Sequence, residues 1–257
     1  MREKPRLRVA AFRPDDDRLA DAVELLESLG ADPVPDPMLA VEPATDDSAD
    51  APVTPRTDAD YVVLTSKTGV ELAADAGWNP GEATMCAIGE STADALREAG
   101  YAVNVVPDEY SSTGLVDALA DEVPGARVEV ARSDHGSAVL TDGLDDAGAY
   151  VHETVLYRLV RPPASGESAE LAADETLDAA LFTSSLTVEH FLDAAAERGV
   201  REAAIDGLNE ATVGAIGEPT RQTAEDAGIA VNIVPDRADF ETLACEVVES
   251  AAPTHHE

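Results

Sequence analysis

Aromatic side chains are scarce in this 257-residue chain, which has one Trp, five Tyr and four Phe. A core made from it cannot lean on ring packing and has to be built from Ala, Val, Leu and Ile within the 44 % apolar content. Cysteine is equally rare. Cys86 and Cys245 stand far apart, with no CxxC and no metal-ligand spacing, which excludes a disulfide framework and a structural zinc site. Both read as small buried residues of a reducing compartment. Basic residues number 17 against 52 acidic ones, a formal net charge of −35. Such a surface repels nucleic acid and anionic membranes, so neither is expected as a partner. No apolar run approaches the roughly 18 residues of a membrane helix. The N-terminal MREKPRLRVAAFRP has too short an apolar stretch for a secretory signal. The expectation is a soluble, cytoplasmic protein.

Familiar motifs are missing too. There is no GxxxxGK[ST], no GxGxxG after a strand and no GxSxG elbow, which disfavours a nucleotide site and a serine hydrolase. His135, His152, His190, His255 and His256 have no metal-ligand spacing, and the last two fall in a tail expected to fray. No metal or cofactor is expected. The acidity permits two readings, disorder or a folded chain adapted to high intracellular salt. Apolar runs alternating with helical patterns along the whole chain decide for the second, with the acids on outer helix faces and in connections.

An internal repeat organises the chain. ATMCAIGESTADALREAGYAVNVVPD (83–108) matches ATVGAIGEPTRQTAEDAGIAVNIVPD (211–236) at a constant offset of 128, with 15 of 26 positions identical. DYVVLTSKTGVE (60–71) matches DAALFTSSLTVE (178–189) at offset 118, so the second copy carries ten extra residues within 190–210. RVAAFRPDDD (8–17) pairs more loosely with RVEVARSDHG (127–136), and the copies join near 124–126. A unit this long argues for duplicated lobes and against a short-period solenoid.

Short apolar runs predict strands at Arg8–Phe12, Tyr61–Thr65, Thr84–Ile88, Ala102–Val106, Arg127–Ala131, Val151–Tyr157, Ala179–Thr183, Thr212–Ile216 and Ala230–Val234. Helices lie between them, among them 18–29, Ser91–Ala99 and Pro219–Ala227, each followed by Gly. The alternation predicts an α/β fold with a parallel sheet covered on both faces. Residues 42–58 and 161–177, rich in Pro, Asp or small polar residues, read as exposed connections.

Ligands of open parallel sheets bind beyond the carboxyl ends of the strands. Thr65-Ser66-Lys67, Thr183-Ser184-Ser185, Gly89-Glu90-Ser91-Thr92 and Gly217-Glu218-Pro219-Thr220 stand there, each opening a helix. Free backbone N–H groups and positive dipole ends suit carboxylates or phosphates, although Ser and Thr at such places also serve simply as caps. Arg13 and Arg132 occupy equivalent strand ends and are candidates for an anionic ligand or for ion pairs with acids such as Asp15 or Asp134. Tyr157, in VHETVLYRLVRP, carries a phenol able to donate a proton, or simply packs.

Together these segments resemble the uroporphyrinogen-III synthase family. The carriers are LTSKTGV and FTSSLTV, AIGEST and AIGEPT, the VP element after each, and the Tyr of VLYRLVRP, and the likeness runs over 8–248. The resemblance implies two flavodoxin-like lobes with a cleft between them, joined by a two-stranded linker. Residues 1–35 with 165–257 would form one lobe, 44–155 the other, and 36–43 with 156–164 the ladder. It implies a cofactor-free lyase of tetrapyrrole biosynthesis that closes hydroxymethylbilane. Loss of the terminal hydroxyl as water gives an azafulvenium cation, and attack at the substituted position of ring D gives a spiro intermediate. Fragmentation and reclosure then invert that ring. Tyr157 matches the family's Tyr and would assist loss of water. Arg13, Thr65, Ser66, Ser91, Thr92, Arg132, Ser184, Pro219 and Thr220 would form the substrate-binding set, with backbone N–H groups and hydroxyls binding acetate and propionate arms and Pro219 able to offer only its carbonyl. Lys67 and Ser185 depart from a Pro or small residue common there, and Pro219 replaces a hydroxyl residue. The resemblance further suggests a monomer, with transient contact to hydroxymethylbilane synthase. The competing reading is a non-catalytic two-lobed protein that binds or senses a tetrapyrrole or a small anion, with no need of Tyr157.

Overall fold

The computed structural model describes residues 6–46 and 51–252. His255, His256 and the outer ends of the expected lobe segments lie outside the described residues. The elements begin with β1 (Arg8–Phe12), α1 (Asp17–Ser28), β2 (Asp32–Pro35), β3 (Ala40–Pro43), β4 (Thr45–Asp46), β5 (Ala51–Pro52), β6 (Tyr61–Leu64) and α2 (Lys67–Asp75). There follow β7 (Thr84–Ala87), α3 (Glu90–Glu98), α4 (Ser112–Leu119), β8 (Arg127–Ser133), α5 (Ala138–Asp146), β9 (Tyr150–Val160) and α6 (Glu167–Ala173). The last are β10 (Ala179–Phe182), α7 (Ser185–Glu197), α8 (Arg201–Glu210), β11 (Thr212–Ala215), α9 (Glu218–Asp226) and α10 (Phe240–Ala251). They fall into two compact units, Met1–Ala40 with Val160–Glu257, and Val41–Leu159.

The first unit holds a four-stranded parallel sheet of order β11-β10-β1-β2. Side chains alternate between faces along each strand. Ala10 and Phe12 enter a core with Phe182, Phe191 and Leu208, while Val9 and Ala11 enter another with Leu26, Leu243 and Val247. Phe12 and Phe182 stack at 4.5 Å, so three of the four Phe residues, with Phe191, are spent on one core. β2 reads DPVP and lies at the sheet edge, where prolines without an N–H are tolerated.

The second unit has a five-stranded sheet of order β3-β9-β8-β6-β7, in which β9, β8, β6 and β7 run parallel, and β4 and β5 form a short antiparallel ribbon. Val62, Leu64, Val70 and Leu96 fill one face with α2 and α3, and Val63, Val128, Leu115 and Leu144 the other with α4 and α5.

Several expectations need correction. The strands expected at Ala102–Val106 and Ala230–Val234 reduce to single bridges, Cys86↔Val105 and Gly214↔Ile233. A side-chain amide takes over the ladder's role at both places. Asn104 Oδ1 accepts from Met85 N (2.8 Å), and Asn232 Oδ1 accepts from Val213 N (2.7 Å). The span 161–177 is not simply an exposed connection, since it contains α6, whose Ser168, Ala169 and Ala172 are buried. Its N-terminus is capped from afar, because buried Asp36 accepts from Gly166 N (2.7 Å), from Ser168 N (2.9 Å) and from the Ser168 hydroxyl. A polar-rich sequence hides this helix because its capping carboxylate is distant in the chain. Asp36 and the fully buried Glu129 also break the rule that the acids face outward. Cys86 is buried but Cys245 is exposed, contrary to the reading of both as buried. The ten extra residues of the second copy coincide with α8, which packs so closely on α6 that a Cβ at Gly207 would lie 1.8 Å from the Ala172 carbonyl oxygen.

Candidate active site

In each unit the expected residues collect where parallel strands end and helices begin. In the second unit, β6 delivers half-buried Thr65 and Ser66 to the start of α2. Ser66 is the N-cap, its Oγ accepting from Gly69 N at 3.0 Å. From β9, two strands away, the buried Tyr157 phenol donates to the same Ser66 Oγ at 2.9 Å. One serine oxygen thus serves a helix amide and a phenol together, and its own proton remains available to donate.

The next strand, β7, leads to α3. Its cap is Gly89, in extended conformation and without a side-chain hydrogen bond. The first-turn amides therefore have no capping side chain and retain their affinity for an anion. Ser91 is exposed and Thr92 buried in this turn. Glu90 would repel a carboxylate, but Arg97 Nη1 binds it at 2.6 Å. Tyr110, largely exposed, packs so near that a Cβ on Gly89 would lie 3.2 Å from Tyr110 Cγ. Arg132 is buried, and its Nε and Nη2 donate to Glu153 at 2.9 and 2.8 Å, with Nη1 on the Ser137 carbonyl at 2.5 Å. Its partner is Glu153, not the adjacent Asp134. Asp134 instead accepts from Leu159 N (3.1 Å) and pairs with His135 (2.9 Å).

In the first unit, Ser184 caps α7 in a reciprocal box with Thr187. α9 repeats the α3 arrangement, with Gly217 at the cap, no side-chain bond, and Thr220 buried in the first turn. The Pro219 carbonyl, the one group this residue can offer, already accepts from Ser185 Oγ (3.1 Å) and Thr223 Oγ1 (3.0 Å). Arg13 follows β1 with its guanidinium 4.6 Å from the centre of the Phe240 ring. Its Nε is buried with no partner among the described residues. Burial, with Arg18 adding to it, lowers the Arg13 pKa from its ordinary value. The two equivalent arginines have therefore diverged, Arg132 into an ion pair and Arg13 into a stacked cation with donors to spare.

The structure thus joins Ser66 to Tyr157 directly, and places Ser184 and Pro219 on adjacent strand ends linked through Ser185. It gives Gly89 and Gly217, named in the sequence only as members of helix-opening segments, the role of bare caps, and it adds two residues not singled out there, Tyr110 over the first of them and Phe240 beneath Arg13. The paired AIGE segments carried the signal for the caps. No local pattern marks the aromatic contacts, which come from distant elements.

The family profile described as Uroporphyrinogen-III synthase HemD matches residues 20–245. A protein of Methanothermobacter thermautotrophicus described as a putative uroporphyrinogen-III synthase is 33 % identical over 238 residues, 89 % of this chain and 92 % of that protein. The uroporphyrinogen-III synthase of Synechococcus elongatus is 29 % identical over 167 residues, 61 % of this chain and 63 % of that one. Among solved structures, a mutant uroporphyrinogen III synthase of Thermus thermophilus is similar with a TM-score of 0.65 and 22 % identity, covering 95 % of this chain and 98 % of that one. The enzyme of Helicobacter pylori has a TM-score of 0.61 and 15 % identity, covering 96 % and 100 %. These structural likenesses speak for the fold, an α/β fold with parallel sheets.

Proposed function

The chain belongs to the uroporphyrinogen-III synthase family, and from that premise we propose that it cyclises hydroxymethylbilane, with loss of water and inversion of ring D, to uroporphyrinogen III. The observation that carries the assignment of roles is the Tyr157–Ser66 hydrogen bond at the N-terminus of α2. The Tyr157 phenol gives its proton to the departing hydroxyl of the substrate, which leaves as water. Ser66 then turns its own proton toward the phenolate, while the Gly69 amide holds Ser66 in place. The proton lost when the closing ring regains aromaticity restores the phenol. Such acid assistance contributes typically ~10²–10⁴-fold, and the rest is positioning of a flexible polycarboxylate.

The positioning groups are the helix starts at Thr65, Ser66, Ser91, Thr92, Ser184 and Thr220, with Arg13 as the cation. Arg132 supports them through its pair with Glu153. Pro219 joins them at the first turn of α9, where its carbonyl is shared with Ser185 Oγ and Thr223 Oγ1. The two units are read as duplicated flavodoxin-like lobes joined by a two-stranded linker, 1–35 with 165–257 and 44–155, with 36–43 and 156–164 between. The offset-128 repeat and the matching asparagines Asn104 and Asn232 support this reading. The enzyme works as a cytoplasmic monomer in high salt, receiving substrate from hydroxymethylbilane synthase. Among the described residues no helix is long and apolar enough to cross a membrane.

The test is product analysis in high salt. Hydroxymethylbilane is generated in situ with and without this protein, and the oxidised products are separated by isomer. Predominantly type III product is expected, whereas type I alone from demonstrably folded protein refutes the assignment in favour of a binding protein.

A further inference from the structure

At the other end of the second unit's sheet, the first residues of β8 and β9 frame a cavity of about 240 Å³. Its lining includes Arg56, Asp58, Arg127, Glu129, Tyr150 and His152. These residues lie at the opening ends of the strands, whereas Ser66 and Tyr157 lie at the closing ends, so the cavity is separate from the proposed catalytic groups.

Glu129 is the unusual member. It sits fully buried in β8, in register with His152 on one side and Val62 on the other. At the equivalent place of the sequence repeat stands Ala10, an ordinary core residue of the first unit. The sheet itself therefore has no need of a carboxylate here. Glu129 Oε2 meets His152 Nδ1 at 2.7 Å, but Oε1 is buried with no partner among the described residues. A carboxylate oxygen withdrawn from water without a donor is costly, and an ion pair kept only for structure would leave none over.

The neighbouring charges cancel. Arg56 binds Asp58 at 2.9 and 3.1 Å, and Arg127 binds Asp60 at 3.1 Å. Beyond its contact with His152, Glu129 keeps one buried oxygen without a donor, and the complement of that oxygen is a cation with an N–H to give. A metal ion fits poorly, because no group of three His, Cys, Asp or Glu among the described residues is placed to hold one. Val128, Val151 and Ala59 supply apolar wall, and the exposed Tyr150 ring lies at the same cavity. We propose that this cavity is a binding site for a small organic ammonium ion, which donates to Glu129 and lays its apolar body against Val128, Val151 and Tyr150.

The probe is benzylammonium chloride, titrated calorimetrically into the full chain in the salt that keeps it folded, with benzyl alcohol as the uncharged control. Imidazole resonances of ¹⁵N-labelled protein report on His152. Saturable binding that shifts His152 is expected. Benzyl alcohol, and benzylammonium on Glu129→Gln, should bind about tenfold weaker or worse, the size of a lost charge-assisted hydrogen bond. Absent binding, equal affinity for benzyl alcohol, or an unmoved His152 overturns the proposal, as does undiminished affinity in a folded Glu129→Gln. Should that variant not fold, the benzyl alcohol comparison on the native chain and the His152 shift decide.

Discussion

Ser66 carries two duties on one oxygen, capping α2 and receiving the Tyr157 phenol, and substitutions separate them. Tyr157→Phe keeps the packing and removes the proton, so turnover should fall by about 10²-fold or more with thermal stability little changed. Ser66→Ala should lower turnover and also cost about 1 kcal/mol as a lost cap, measurable as a shift in the denaturation midpoint. An unchanged rate in both variants would remove the phenol from the mechanism. The cysteines provide a second test at this scale. Burial, with Glu122 adding to it, pushes the Cys86 thiol up to about 12, so its reactive thiolate is nearly absent at pH 8. Cys245 is exposed. A maleimide at pH 8 should therefore label one site in the native protein and two after unfolding, as counted by mass spectrometry.

Single interior contacts hold whole elements in place. α6 begins on a carboxylate from the other chain segment of its unit, with Asp36 taking two amides and a hydroxyl. Asp36→Ala should leave those buried donors unpaired and cost about 2–4 kcal/mol, read from chemical denaturation at fixed salt. Gly207→Ala should destabilise the α6–α8 contact by a similar amount, since a methyl would collide with the Ala172 carbonyl. Both losses should appear as faster hydrogen exchange in α6 and α8 before the sheets are affected. Uniform exchange across the molecule would show that these helices do not open by themselves.

The surface charge acts on the whole molecule. A formal charge of −35 repels itself at low ionic strength, and salt relieves the repulsion over a shrinking screening length. The unfolding temperature should rise steeply from 0.1 M toward molar KCl (roughly 10 Å to 3 Å of screening length). A flat profile in a thermal melt series would mean that the charge is already balanced within the fold. The exposed pairs, such as Arg56–Asp58 and Arg221–Glu225, are too well solvated to offset it.

Composition and periodicity determined the class of fold, because apolar strand runs followed by Gly-terminated helices leave few alternatives to a covered parallel sheet. The repeat located the strand ends, and with them the stretches holding Ser66, Thr92, Ser184 and Thr220, since chain order alone decides which loops follow strands. Contacts between distant residues were beyond its reach. The Tyr157–Ser66 bond, the cap of α6 by Asp36, the stacking of Arg13 on Phe240 and the pairing of Arg132 with Glu153 each join residues that no local pattern relates. The same limit explains the missing strands at 102–106 and 230–234. Their β-rich sequence suits a ladder, but an asparagine side chain in each takes the hydrogen bond that a further strand pair would have made. Local sequence sets what each segment can become, and only the packed structure settles which donor meets which acceptor.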